Sequence, residues 1–225
     1  MQDQISNYAQ PSALATNKVL RNTYMLLSMT LAFSAICAAG AMAIGLGRGA
    51  ALMMMIAAIA LVWFVLPRTA NSSAGLGVVF LFTGLLGASL GPTINAYLGL
   101  AGGAQIVLQA LGGTAFIFLT LSAYVLTSKK DFSFMGGFLF VGLMVIVVAS
   151  LGGLVASLMG VNVSVFSLAI SGASVLLFSG FILYDTSRII NGGETNYIMA
   201  TVSLYLSIYN IFVHLLHLLG AMNDD

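Results

Sequence analysis

The chain has 225 residues, of which 60% are hydrophobic and 6% charged, with a mean hydropathy of +1.07. Soluble domains carry about a quarter charged residues, so a soluble globular fold is excluded. A formal net charge of +1 argues against nucleic acid as a partner.

The first 22 residues read as a mobile cytoplasmic tail. Met1, Gln2, Asp3 and Gln4 open a polar stretch that contains Pro11 and few apolar side chains. It does not read as a signal peptide, because Lys18 and Arg21 come late and the apolar run behind them is too long. From there on, apolar runs of about 20 residues recur, each long enough to cross a hydrocarbon core of ~30 Å. The first covers residues 24–44 and contains Cys37, the single cysteine, which reads as a small hydrophobe with no disulfide partner in the chain. A short turn around Arg48 leads to a second span, 51–66, which Pro67 is expected to halt.

The third span, 76–98, brings Gly84, Gly87 and Gly91 near one face, where backbones can approach closely. The spacing of Gly87 and Gly91 fits dimerisation or packing within one chain, and Pro92 and Asn95 are expected to kink or fray the helix end. The fourth span, 104–126, has a small, polar side at Gly112, Gly113, Thr114 and Thr120, and TSKKDFS follows as the clearest loop. Spans five to seven cover 134–158, 163–184 and 197–219, leaving 221–225 as a short C-terminal tail. The expectation is one all-α polytopic domain over 23–220 with seven transmembrane helices. Alternate loops then put Lys18, Arg21, Arg68, Lys129, Lys130 and Arg188 on one side and Arg48 alone on the other. That asymmetry predicts a cytoplasmic N-terminus and a C-terminus across the membrane.

The seventh span carries most of the polar signal. Asn196, Ala200, Ser203, Ser207, Asn210, His214 and His217 are spaced alternately by four and three and share one helix face. Ile198, Val202, Leu206, Val213 and Leu216 form the opposite face, suited to lipid or packed apolar neighbours. A polar stripe at membrane depth is costly unless it faces protein or water, so this helix is expected to be central and shielded by the others.

Catalysis finds little support. Tyr184-Asp185 has no second intramembrane aspartate with which to form a protease dyad. Ser203 and Ser207 are too far along the helix to hydrogen-bond His214, and no nucleophile elbow is present. His214 and His217 could be two metal ligands, but a third is not evident, so a packed or interface-facing pair is preferred. No cofactor motif is present, and the protein is read as not an enzyme. Ion handling fits better. Asp185, near the end of the sixth span, must be paired, hydrated or protonated, which makes it a proton-responsive group. The plainer alternative is an ion pair with Arg188, or with Arg68. One carboxylate with Ser203, Ser207 and Asn210 makes a poor tight Ca²⁺ site, leaving weak passage of Ca²⁺ or another cation. Tyr197, Tyr205 and Tyr209 read as packing and interface anchors.

The run YDTSRIINGGETNYIMATVSLYLSIYNIF resembles the C-terminal signature of the Bax inhibitor-1 family of seven-helix membrane proteins. KVLRNTYMLLSMTLAFSAI, LGPTINAYL and GGTAFIFLTLSAYVLTSKKDFSFMGG extend the resemblance over nearly the whole chain. It implies six helices wrapped around a central C-terminal helix. It also implies a bacterial inner-membrane location and, in the branch it resembles most, modulation of the membrane-anchored ATP-dependent protease FtsH. Some members act as pH-sensitive calcium leaks governed by two aspartates on the last two helices and a nearby arginine. Asp185 matches the first aspartate, and Arg68 is the nearest match to the arginine. Where the second aspartate is expected, Leu204-Tyr205-Leu206 is followed by Ser207, which cannot share a proton between carboxylates.

Overall fold

The computed structural model describes residues 13–223, with side chains from Thr16 onward. Seven helices in it are long and apolar enough to cross a membrane. They are α1 (Ala13–Ala43), α2 (Arg48–Thr69), α3 (Ala74–Leu98), α4 (Gly103–Ser128), α5 (Gly136–Leu158), α6 (Ser164–Ile190) and α7 (Tyr197–Asn223). The fold is an all-α polytopic membrane protein.

Three local expectations are corrected. Helix α1 begins at Ala13, inside the stretch expected as tail, because Ala13, Leu14 and Ala15 are strong helix formers. Pro67 does not halt α2. The backbone widens into a π-helical segment at Leu61–Val65, with the Leu66 N–H bonded to the Leu61 carbonyl, and the helix then runs through Pro67 to Thr69. Side chains beyond the proline supply donors to this turn: the Arg68 guanidinium bonds the Phe64 carbonyl, and the Thr69 hydroxyl bonds that of Val65 at 3.0 Å. Helix α6 runs to Ile190, past the end expected at 184, with Ile189 buried in its last turn. Pro92 lies inside α3, which ends at Leu98 as expected, and the Asn95 amide bonds the Met42 carbonyl at 3.3 Å.

Helix α7 lies at the centre and packs against α1, α3, α4 and α6. The other two helices are outer ones, α2 lying on α3 and α5 on α6. Burial follows this order: Leu139 is the one buried residue of α5, whereas α7 is buried along its whole length. Both faces of α7 are covered, since Ile198, Val202 and Leu216 are as buried as Ala200 and Ser207. The main core joins Leu26 and Leu27 of α1, Leu66 of α2, Phe82 of α3, Ile189 of α6 and Leu204 and Tyr205 of α7.

The glycine face of α3 builds the seam with α1, which settles its use within the chain. A Cβ on Gly91 would sit 2.7 Å from the Ala41 Cβ, and one on Gly87 would strike the Ser34 carbonyl. Between helices in a bilayer, close backbone approach supplies packing that the hydrophobic effect cannot. The shielding of α7 is incomplete on one side. Helices α1 and α4 meet through the Tyr24 and Phe118 rings, 6.0 Å apart, and between these helices a cavity of about 560 Å³ reaches Tyr205, Tyr209 and Phe212.

Candidate ion-handling site on the last two helices

Asp185 is 9% exposed in the last third of α6, and among the described residues it makes no hydrogen bond or ion pair. Neither expected partner reaches it. Arg188, one turn on, donates to the Gly193 carbonyl at 2.9 Å and pairs with Glu194 at 3.6 Å. Its guanidinium also lies 5.5 Å above the Tyr184 ring. Glu194 in turn accepts from the Asn196 backbone N–H at 2.9 Å. Arg188 therefore fastens the α6–α7 loop. Arg68 is exposed, with its guanidinium engaged at the π turn of α2.

The stripe on α7 separates into parts with different work. Asn196 caps the helix, accepting from the Ile198 and Met199 N–H groups at 2.9 and 3.2 Å. Its amide also donates to the Ala70 carbonyl and the Asn71 side chain. The Ser207 hydroxyl donates to Ser203 O at 3.2 Å and the Asn210 amide to Leu206 O at 2.8 Å, so both bond along their own helix. No hydrogen bond joins Ser207 or Asn210 to Asp185 among the described residues.

His214 and His217 both turn to Ser171 of α6, with their Nδ1 atoms 3.2 and 2.9 Å from its hydroxyl. A hydroxyl has one proton and two lone pairs, so Ser171 can donate to at most one ring, and at least one of the two neutral imidazoles carries its proton on Nδ1. This is the packed pair favoured by the sequence, and Ser171 is the member that sequence reasoning did not find.

Tyr205 was also undervalued as a simple packing residue. Its ring is 1% exposed, and its hydroxyl lies 2.6 Å from that of Ser34 and donates to Thr83 O at 3.2 Å. Five other buried hydroxyls have no partner among the described residues: Thr23, Tyr24, Ser122, Ser174 and Thr186. Thr186 adjoins Asp185, and Ser122 follows Leu121, which packs in one cluster with Ile182. Thr186 thus gives Asp185 a chain neighbour whose buried hydroxyl has no partner among the described residues, and a buried carboxyl without a bonded partner is suited to hold water or a proton. Met1, Gln2, Asp3 and Gln4, the expected protease-engaging tail, lie outside the described residues.

The family model described as inhibitor of apoptosis-promoting Bax1 matches residues 16–224. The chain belongs to the Bax inhibitor-1 family. It is 55% identical over 212 residues to an uncharacterised membrane protein of Vibrio cholerae, covering 94% of this chain and 93% of that protein. It is 48% identical over 220 residues to the modulator of FtsH protease YccA of Escherichia coli K12, covering 98% and 97%. An uncharacterised protein of Pseudomonas aeruginosa is 44% identical over 229 residues, covering the full length of both chains. Within the Bax inhibitor-1 fold, the polar stripe of the last helix here serves chiefly to cap α7 and to bond it to α6 and to the α2–α3 turn.

Proposed function

We propose that this protein is a non-enzymatic modulator of FtsH in a bacterial inner membrane, acting as a slowly processed client that inhibits the protease or competes for it. The observation that carries the reading is the 48% identity, over 98% of the chain, to a relative named as an FtsH modulator. The orientation proposed with it has the N-terminus in the cytoplasm and the C-terminus in the periplasm. It is supported by six basic residues at the end of the bundle where α1 begins, against Arg48 at the other. An ATP-driven protease needs a segment to grip, and the proposed grip is the polar stretch that starts with Met1, Gln2, Asp3 and Gln4. Deletion of residues 2–10 is expected to lengthen the protein's half-life in cells that express FtsH. An unchanged half-life removes the tail from the mechanism, and failure to crosslink to FtsH in native membranes removes the reading itself.

A second reading, a pH-sensitive cation leak, is favoured by Asp185, a buried carboxylate without an ion pair among the described residues, beside the partnerless hydroxyl of Thr186. Arg68 and Ser207, proposed from the resemblance, and Asn210 of the polar stripe complete the ion- and proton-sensing set. Ca²⁺ flux into liposomes carrying the purified protein, at about pH 6 and pH 8, on either side of neutrality, tests it. Flux no greater than through empty liposomes eliminates this reading and leaves the first intact.

A further inference from the structure

Arg48 opens α2 at the end of the bundle opposite Lys18, Arg21, Arg68, Lys129, Lys130 and Arg188. It is exposed, and among the described residues no acidic side chain pairs with it. Asp131, Asp185 and Glu194 all belong to the far end. Beside Arg48 begins a cavity of about 430 Å³ between α2, α3 and α7. Leu52, Met55 and Pro92 line it, and its deep end lies where the Ser89 and Tyr209 hydroxyls are 3.4 Å apart. From Arg48 to Met55 the helix descends about 10 Å at ~1.5 Å per residue, well into one leaflet of a ~30 Å hydrocarbon core.

A cation at the mouth of an apolar slot is complementary to an amphiphile with an anionic head and a hydrocarbon tail. We propose that this slot binds one phospholipid, with the phosphate on the Arg48 guanidinium and the upper part of an acyl chain along Leu52 and Met55. The guanidinium fork matches phosphate oxygens bidentately. The bilayer is the source of the ligand, since the slot lies on α2, the helix that covers the outside of α3. The Ser89 and Tyr209 hydroxyls at the deep end are already bonded to each other, so a chain reaching them strands neither.

The test is native mass spectrometry of the full-length protein in mild detergent, titrated with dioleoyl phosphatidylglycerol. One retained lipid per chain is expected, with binding about fivefold weaker in Arg48→Gln, as loss of one interfacial cation implies. Leu52→Trp, a change on an exposed position that fills the slot and keeps the charge, is expected to weaken retention as well. Equal retention by wild type and Arg48→Gln overturns the proposal. So does full competition by inorganic phosphate with Leu52→Trp without effect, because the chain would then play no part. Retention that appears only after Asp224→Asn with Asp225→Asn also overturns it, since Arg48 would then serve those carboxylates.

Discussion

Ser34 of α1 and Tyr205 of α7 hold their hydroxyls 2.6 Å apart, and the Tyr205 hydroxyl donates to the Thr83 carbonyl of α3 at 3.2 Å. Three helices meet at one phenol oxygen. Tyr205→Phe keeps the ring, strands the Ser34 hydroxyl and removes one of two bonds at the Thr83 carbonyl, so a loss of about 1–3 kcal/mol is expected in thermal or denaturant unfolding in detergent. Ser34→Ala should cost less, and the double variant should cost less than the two added together. Simple additivity would show that the hydroxyls are not coupled.

Gly87 and Gly112 make opposite predictions for the same substitution. A methyl group at Gly87 collides with the α1 backbone at Ser34, whereas one at Gly112 meets nothing within 4 Å. Gly87→Ala is expected to destabilise by about 1–3 kcal/mol, as overpacked cores do. Gly112→Ala should leave stability unchanged or raise it by about 0.5–1 kcal/mol through helix propensity. Melting temperatures that fall equally would break the assignment of the α1–α3 seam.

Lys129 ends α4 with φ 52°, the left-handed conformation that costs a residue bearing a Cβ. Lys129→Gly should therefore stabilise the protein by about 1 kcal/mol, read as a higher midpoint of unfolding. A drop would mean that the lysine side chain makes a contribution larger than the strain.

Asp131 in the α4–α5 loop is held below the usual carboxylate range, first by its hydrogen bonds with Ser133 and then by the Ser187 hydroxyl. A depressed folded-state pKa gives stability that is present above the unfolded value, near ~3.9, and lost as pH falls through the folded one. Asp131→Asn should flatten that acid limb of the stability profile and leave neutral pH little changed. An identical acid limb in both proteins would locate the sensitivity elsewhere.

Asp185→Asn and Ser207→Asp probe the leak reading from two sides. The first should lower pH-dependent Ca²⁺ flux in liposomes, while the second, by supplying a second carboxyl, should steepen the dependence. A Ser207→Asp protein without any change in pH response argues that the two positions do not share a site.

The seven spans were legible because a hydrocarbon core requires long apolar runs, but their ends were less so, since α1 begins before and α6 continues past the apolar run. The central place of α7 was legible from Ser203, Ser207 and Asn210, since such a stripe has few tolerable surroundings in lipid. Pro67 misled because a proline's local penalty can be absorbed by a π turn, with Arg68 and Thr69 bonding carbonyls there, and a one-dimensional pattern carries no sign of that. Asp185 was expected to find Arg188 by helical spacing, yet the carbonyl of Gly193 and the carboxylate of Glu194 compete for the same guanidinium. Ser171 gave no signal of its own. It became visible only through the two imidazoles that converge on it from another helix.

The two asparagines at the ends of α7 impose a dimensional constraint on the bundle. Asn196 is bonded to the turn just before α3, and Asn223 donates to Ala101 just after it at 2.9 Å. Helix α7 is thus a strut whose two ends grip the two ends of α3. At 27 and 25 residues, their axial lengths are about 40 and 38 Å at ~1.5 Å per residue, a near match. Inserting or deleting a residue in either helix would force one grip to open, so these two spans are bound to change length together.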